Sequence, residues 1–277
     1  MLIRTISGII ALPILALFLI LGSEWLRYGI LFLSLVGIFE FYKATSKEIK
    51  PVHILGALAT IVYLVCVGLR IEFEYIGIAT MIFIILAFML MVFMHQKINI
   101  NDVCITIVGF FYVTFMLSNI YLVRQMEFGE YLVWLIFICA FCSDTGAYFT
   151  GSAIGKHKLT PILSPKKTYE GAIGGIVFTA IVSGFFGYCI FEFGNVGKEN
   201  MFLLYALIGV VGSIFAQLGD LAASSIKRFV GIKDYGKIMP GHGGVLDRFD
   251  SVIFTAPLIY IFLTLGKEVL FWKKLLF

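Results

Sequence analysis

The sequence predicts an all-α fold, a polytopic integral membrane protein with about nine transmembrane helices. Hydrophobic residues make up 60% of the 277-residue chain and charged residues 14%, whereas charged residues are about a quarter of an average soluble domain. The mean hydropathy is +1.00. Apolar runs of about 20 residues, long enough to cross a bilayer as a helix, recur from one end of the chain to the other.

Nine such runs are joined by short connections, so neighbouring spans should be antiparallel. The predicted spans are residues 4–22, 26–45, 52–70, 75–94, 103–123, 131–151, 171–192, 201–219 and 251–272. No internal repeat or linker divides the chain, which indicates one membrane domain. Within it, residues 1–130 are predicted to be scaffold or dimerisation helices, and residues 131–277 the catalytic region with its cytoplasmic loops.

Two short motifs in apolar runs have a second interpretation. Arg4 and the run that follows have the layout of a signal peptide, but no small-x-small cleavage site is present, so we expect a retained first span. Cys139 and Cys142 have the spacing of a metal or redox pair. There is no second pair, and their apolar neighbours favour small residues on a buried helix.

The basic residues indicate the orientation of the spans. Fourteen of the 21 lysines and arginines lie on the side of the amino terminus and seven on the other side. Cytoplasmic loops carry the excess of basic residues, so the amino terminus is predicted to be cytoplasmic and the carboxyl terminus external. Without residues 224–250 the division is nine against seven, in the same direction.

Residues 224–250 form the most polar segment of the chain, which we call the polar stretch. Its basic candidates are Lys227, Arg228, Lys233, Lys237 and Arg248, and its acidic candidates are Asp234, Asp247 and Asp250. Basic side chains with glycine backbone bind phosphate oxygens, and clustered carboxylates bind a hard cation. The stretch therefore predicts metal-assisted phosphate chemistry. His242, which has glycine neighbours, either donates to a phosphate or orders the turn.

Acidic residues at three helix ends are predicted to lie in the cytoplasmic leaflet. Asp144 lies about 10 Å inside its span, where a carboxylate needs a water-filled cavity or a partner, such as a lysine of a neighbouring helix. Asp220 ends the eighth span, and it shares a face with Ser224 and Lys227 if that helix continues.

The third acidic site is the start of the ninth span. Asp247 and Asp250 lie three residues apart and, close to Asp220, would offer the oxygen ligands that Mg²⁺ prefers. Asp250 alone could instead cap the helix.

The connection from Gly155 to Gly171 is a second candidate loop. Lys166 and Lys167, with hydroxyl side chains beside them, suit a triphosphate. The alternative is a basic loop that touches anionic lipid headgroups.

Several of these segments, taken together, resemble a known family, the phosphatidate cytidylyltransferases. The resemblance rests on Ser224-x-Ile226-Lys227-Arg228-x4-Lys233-Asp234-x-Gly236, Pro240-x-His242-Gly243-Gly244-Val245-x-Asp247-Arg248-Phe249-Asp250, Asp144-Thr145-Gly146-Ala147-Tyr148 and Ser164-Pro165-Lys166-Lys167-Thr168-x-Glu170-Gly171. It covers residues 140–255 well, whereas the first five spans match only in being hydrophobic. Met239 stands where the family has another apolar residue.

The resemblance implies a multi-pass enzyme of the bacterial inner membrane, with its active site facing the cytoplasm, that makes CDP-diacylglycerol and pyrophosphate from CTP and phosphatidic acid. It also implies a divalent metal, usually Mg²⁺, with a second cation as an option, and a homodimer among membrane lipids, without nucleic acid. The implied metal ligands are Asp220, Asp247 and Asp250.

The other implied roles concern catalysis and substrate binding. The catalytic set is Asp144, Lys227, Arg228, Lys233, His242 and Arg248, in which the basic residues hold the leaving pyrophosphate or the lipid phosphate. The substrate-binding set is Lys166, Lys167, Ser224, Gly243 and Gly244.

Three other functions compete with this interpretation. A transporter should show charges in both leaflets and internal repeats, and here the charges gather at one face. A CDP-alcohol phosphotransferase should show several aspartates at helical spacing after an Asp-Gly pair, and no such run exists. A CTP-dependent lipid kinase would release CDP, whereas a cytidylyltransferase releases pyrophosphate.

Overall fold

The structure is a computed structural model that describes residues 2–46, 49–194, 201–238, 241 and 243–268. These residues form nine helices and one two-stranded antiparallel sheet. The elements are α1 (Leu2–Leu21), α2 (Ser23–Thr45), α3 (His53–Gly68), α4 (Phe73–Phe93), α5 (Ile100–Arg124), α6 (Gly129–Ile154), β1 (Lys158–Thr160), β2 (Ser164–Thr168), α7 (Tyr169–Gly194), α8 (Met201–Phe229) and α9 (Leu246–Glu268).

The helices confirm the predicted fold class. Among the described residues, seven helices are long and apolar enough to cross a membrane. Two shorter apolar segments accompany them, Leu12–Leu21 within α1 and His53–Gly68, which is α3. A helix satisfies its own backbone hydrogen bonds, which hydrocarbon cannot do, and this explains why apolar runs of this length fold as helices. Within α5, the segment Phe110–Phe115 is a π-helix.

Two helix boundaries differ from the prediction in a way that matters for the site. Helix α8 continues ten residues beyond 219, and α9 begins five residues before 251. Apolar length marks only the part of a helix that lies in lipid, so it misses turns built from polar residues. As a result, Lys227 and Asp247 lie on helices, and Asp250 lies inside α9 and does not cap it.

The described chain divides into two compact units. The first comprises Met1–Tyr121 and Lys227–Phe249, and the second comprises Leu122–Ile226 and Asp250–Phe277. Most of the polar stretch thus groups with the amino-terminal helices. The functional division between residues 1–130 and 131–277 stays a prediction.

Close packing in the first unit centres on Tyr42 of α2. Its hydroxyl donates to the carbonyl oxygen of Thr106 at 2.6 Å, and its ring fills the space that a side chain at Gly56 or Gly109 would need. Glycine at these two positions therefore lets α3 and α5 approach α2.

Close packing in the second unit joins α6 to α7. A Cβ atom at Gly171 or Gly175 would lie 2.8 Å from a backbone oxygen of α6, those of Ala147 and Ser143 respectively. The glycines at the start of α7 therefore serve contact with the preceding helix, which the sequence could not identify.

Candidate active site

The candidate residues of the first unit surround one buried carboxylate. Asp247, the second residue of α9, pairs through Oδ1 with the Nζ of Lys227 at 2.8 Å. Its Oδ2 accepts hydrogen bonds from the backbone N–H groups of Tyr235 at 2.8 Å and Gly244 at 2.9 Å. We call Lys227, Tyr235, Gly244 and Asp247 the Asp247 cluster. Three donors satisfy a carboxylate whose side chain is only 3% exposed.

The polar stretch turns tightly around this carboxylate. Gly243 has φ +85°, in the left-handed region, and a Cβ atom there would lie 2.7 Å from Oδ2 of Asp247. Only glycine fits such a position without strain. The Nζ of Lys227 also lies 5.4 Å from the centroid of the Tyr235 ring, a cation–π distance.

The remaining basic candidates of the first unit are accessible. Arg228, Lys233, Lys237 and Arg248 are exposed. Arg228 donates to the carbonyl oxygen of Ile232 at 3.2 Å, which ties it to the turn after α8. The five basic residues therefore separate into one largely buried counter-ion, Lys227, with a side chain 12% exposed, and four side chains that can reach a phosphate. His242 lies outside the described residues.

Glu40 of α2 is a further carboxylate beside the Asp247 cluster. It is 3% exposed, and its Oε2 accepts the backbone N–H of Leu246 at 3.0 Å. Its carboxylate occupies the space that side chains at Gly236 and Gly244 would need. The two residues joined by this hydrogen bond are 206 positions apart in the chain.

The candidate residues of the second unit surround a more accessible carboxylate. Asp220 of α8 pairs through Oδ2 with the Nζ of Lys167 at 2.6 Å. The hydroxyl of Ser224, one helical turn later, lies 3.4 Å from Oδ1. We call Lys167, Asp220 and Ser224 the Asp220 cluster. The side chains of its ion pair are 24% and 26% exposed.

A short hairpin, β1 and β2, presents Lys167 to this cluster. Lys166 and Lys167 are adjacent in β2, where side chains alternate between faces, and only Lys166 is exposed. Glu170 accepts the backbone N–H of Lys156 at 3.1 Å and contacts Nδ1 of His157 at 2.6 Å. The base of the loop is therefore fixed to the first turn of α7.

Two packing contacts join α6 and α8 to α9 at or beside the candidate aspartates. The hydroxyl of Ser251 donates to Oδ2 of Asp144 at 3.3 Å, which joins α6 to α9. A Cβ atom at Gly219 would lie 2.6 Å from the backbone oxygen of Asp250, so α8 approaches α9 closely one residue before Asp220. The helices that carry Asp144, Asp220 and Asp250 are thus in contact at these residues.

Polar contacts continue from the Asp220 cluster into the helix interface. Gln217, one turn before Asp220, donates to the carbonyl oxygen of Ala172 at 3.0 Å and to the hydroxyl of Ser213 at 3.3 Å. Ser213 in turn lies 2.8 Å from the hydroxyl of Ser143. These contacts fix α8 against α6 and α7, and with it the position of Asp220.

The described residues contain no group of three or more His, Cys, Asp or Glu side chains that could hold a metal ion by themselves. Mg²⁺ commonly binds to one or two carboxylates, keeps several waters and completes its shell with substrate phosphates. Asp220, with a partly exposed carboxylate, fits that mode. Asp247 fits it less well, because its side chain is only 3% exposed and three donors already occupy its oxygens.

Three residues that contact the candidate aspartates or their backbone had no role predicted from the sequence. Tyr235 contacts Asp247 through its backbone N–H, Ser251 contacts Asp144 through its hydroxyl, and Glu40 accepts the N–H of Leu246. Single contacts of this kind leave no motif. A signal for Glu40 did exist, because an ionisable residue inside an apolar span marks a functional candidate.

Comparisons with known proteins agree with the motifs quoted above. A model of the Cytidylyltransferase family matches residues 2–266. A phosphatidate cytidylyltransferase of Staphylococcus haemolyticus is 35% identical over 265 residues, which cover 94% of this chain and 98% of the relative. Proteins of the same name from Staphylococcus epidermidis and Staphylococcus aureus are 34% and 33% identical, with the same shares covered. The chain belongs to the cytidylyltransferase family.

Proposed function

We propose that this chain transfers the cytidylyl group of CTP to phosphatidic acid and so makes CDP-diacylglycerol and pyrophosphate in phospholipid synthesis. The observation that carries the proposal is similarity along the whole chain to relatives named phosphatidate cytidylyltransferase. The exposed basic side chains of the polar stretch and the accessible carboxylate of Asp220 are groups that such a reaction needs.

The proposed reaction is an in-line displacement at phosphorus. An oxygen of the phosphatidic acid phosphate attacks the α-phosphorus of CTP and forms a new P–O bond, while the bond to the β-phosphate oxygen breaks and pyrophosphate leaves. A phosphate monoester is largely ionised near neutral pH, because its second pKa is about 6. A dedicated general base is therefore unnecessary.

Basic side chains would position the phosphates and stabilise the charge that develops on them. In the first unit, the exposed Arg228, Lys233 and Arg248 are proposed to bind the pyrophosphate portion or the lipid phosphate. In the second unit, Lys167 and its neighbour Lys166 are proposed to bind the other. Ser224, Gly243 and Gly244 are the further proposed substrate contacts, and His242 is proposed to donate to a phosphate.

A divalent cation, proposed to be Mg²⁺, would neutralise charge on the reacting phosphates when it is bound. Asp220 is proposed to hold it, because its carboxylate is accessible, with 26% of the side chain exposed. Asp144, which is exposed, and Asp250 of the same unit and Asp247 of the first unit are the further proposed acidic residues. A second cation is compatible with this set.

We also propose that the enzyme lies in the bacterial cytoplasmic membrane, with the polar stretch on the cytoplasmic side, and that it acts as a homodimer. CTP is a cytoplasmic nucleotide and phosphatidic acid a membrane lipid, so the site must reach both. The excess of basic residues on one side of the spans supports this orientation.

The test is incubation of the purified protein in detergent with α-³²P-CTP, phosphatidic acid and Mg²⁺. We expect lipid-extractable label together with one pyrophosphate per labelled lipid. Labelled CDP without labelled lipid would instead indicate a CTP-dependent lipid kinase. An absence of lipid-dependent turnover with several metals would contradict both activities and favour a transporter.

A further inference from the structure

We infer that Glu40 of α2 is a positioning residue for the proposed reaction. Its buried carboxylate holds the backbone that leads into α9, and through that backbone it sets the position of the Asp247 cluster. The inference rests on the proposed function and extends it, because it gives an amino-terminal helix, whose sequence carries none of the motifs, a part in building the site.

The residues directly before α9 offer no side-chain cap for this helix. The first N–H groups of a helix have no partner within the helix and need an acceptor. The residues before α9 are Gly243, Gly244 and Val245, which have no side-chain oxygen to offer. Leu246 donates its N–H to Glu40, at 3.0 Å, so α2 supplies the missing acceptor.

Two carboxylates, those of Asp247 and Glu40, hold the same backbone. Asp247 accepts the N–H groups of Tyr235 and Gly244, and Glu40 accepts that of Leu246. The Glu40 carboxylate also lies directly against the Cα atoms of Gly236 and Gly244. Both carboxylates therefore fix the backbone at 235–236 and 244–246. Loss of the Glu40 acceptor would release the N–H group of Leu246.

Burial of the Glu40 carboxylate is unfavourable unless one of its oxygens is needed as a hydrogen-bond acceptor. Glu40 is 3% exposed, and among the described residues its Oε1 has no hydrogen-bond partner. An apolar side chain of similar size would fill the space without the loss of carboxylate hydration. Such a side chain would lack the acceptor oxygen that faces the N–H group of Leu246.

The same unit offers a matched control. Asp102 of α5 is 1% exposed and also accepts backbone N–H groups, those of Lys50 at 2.5 Å and Asn99 at 2.8 Å. It caps a different helix, and these hydrogen bonds do not involve the described residues of the polar stretch. Its loss reports the structural cost of removing a buried capping carboxylate.

The experiment compares Glu40→Met, which keeps the volume and removes the acceptor, with Glu40→Gln, which keeps an acceptor oxygen, and with Asp102→Leu. For each full-length, monodisperse protein, kcat and the KM values of CTP and phosphatidic acid are measured, and hydrogen exchange is followed at residues 235–246. We expect Glu40→Met to lower kcat at least tenfold with both KM values within about threefold, and to increase exchange at Leu246. Glu40→Gln should restore both, and Asp102→Leu should change neither.

Two results would overturn the inference. The first is a Glu40→Met variant whose kcat equals that of the wild-type enzyme. The second is a Glu40→Met variant whose kcat and hydrogen exchange change no more than those of Asp102→Leu. In either case Glu40 is structural only. If Glu40→Met does not fold, Glu40→Asp, which withdraws the oxygen by one methylene, takes its place in the comparison. If the wild-type protein makes no CDP-diacylglycerol, the proposed function fails, and the exchange data alone decide whether Glu40 holds the loop.

Discussion

The two clusters present the same chemical pair in different surroundings. Each contains a lysine and an aspartate that pair at 2.6–2.8 Å. In the Asp247 cluster the side chains of Lys227 and Asp247 are 12% and 3% exposed, and two backbone N–H groups add to the pair. In the Asp220 cluster, the side chains of Lys167 and Asp220 are each about one quarter exposed, and within the described part of the chain a hydroxyl at 3.4 Å accompanies them.

The difference separates a carboxylate that organises the fold from one that remains available for chemistry. A buried charge is tolerated only when its partners satisfy it. The carboxylate of Asp247 is therefore occupied by Lys227 and by the backbone N–H groups of Tyr235 and Gly244. A partly exposed carboxylate keeps free lone pairs and can exchange a lysine for a metal or a phosphate-bound cation. Two aspartates that both pair with a lysine can therefore have different roles.

The largest expected effect is on stability, from Asp247→Ala. The substitution leaves the Lys227 ammonium without its partner and two backbone N–H groups without an acceptor. Removing one partner of a buried pair costs about 3–5 kcal/mol, and we expect the free energy of unfolding, measured by titration with SDS, to fall by that amount. Asp220→Ala should lower it by less than about 1 kcal/mol.

The double variant Lys227→Met, Asp247→Ala provides the control for this prediction. It removes the unpaired charge, so it should recover part of the lost stability. If Asp247→Ala and Asp220→Ala were equally mild, the contrast between the two clusters would be wrong.

The next effect is on activity, from Asp220→Asn. Asparagine keeps the shape and the contact with Ser224 but loses the charge that a divalent cation needs. Such a cation contributes several kcal/mol, and each 1.4 kcal/mol is tenfold in rate, so we expect kcat to fall by about 10²-fold or more. Stability should stay within about 1 kcal/mol of the wild type.

Glu74→Gln, an exposed glutamate of α4, is the matched control for charge loss and should leave kcat unchanged within about twofold. A Mg²⁺-dependent rate that survives Asp220→Asn would place the metal elsewhere.

A smaller effect is expected from Gly244→Ala, which tests the turn around Asp247. The added methyl group would overlap both carboxylate oxygens of Glu40, and overpacking of this kind costs about 1–3 kcal/mol. Gly77→Ala on α4 is the control, because no heavy atom lies within 4 Å of the added Cβ, and alanine favours a helix over glycine by about 1 kcal/mol. Thermal unfolding of both variants checks the sign: Gly244→Ala should unfold earlier than the wild type and Gly77→Ala no earlier.

Most of the fold was predictable because apolar length is a local property. All nine predicted spans correspond to helices, and the largest boundary differences fall at the polar ends of α8 and α9. The hairpin of β1 and β2 was not predicted. It is short and polar, and Glu170 and Thr168 fix its base through contacts that apolar periodicity does not register.

The site was predictable as a set of residue types but not as a set of partners. The motifs indicated Asp247 and the lysines, and the end of the eighth span indicated Asp220, yet nothing in the spacing assigns Lys167 to Asp220 and Lys227 to Asp247. Those pairings depend on tertiary packing. Glu40 is the clearest case, since its contact with Leu246 joins two helices at opposite ends of the chain. The principle that identified Asp144, a charge inside an apolar span, applies equally to Glu40.

The smallest expected effect on stability comes from Lys167→Ala, and it sharpens the contrast with Lys227. The ion pair of Lys167 with Asp220 is about one quarter exposed, and such pairs contribute about 0.2–1 kcal/mol, so the free energy of unfolding should change by no more than that. Because the lysine competes with a cation for Oδ2 of Asp220, its removal should also lower the half-saturating Mg²⁺ concentration, by up to about fivefold for 1 kcal/mol. Lys166→Ala, on the other face of β2, should leave that concentration unchanged. If Lys167→Ala instead raised the Mg²⁺ requirement, the lysine would assist cation binding, and Asp220 would not be the carboxylate for which it competes.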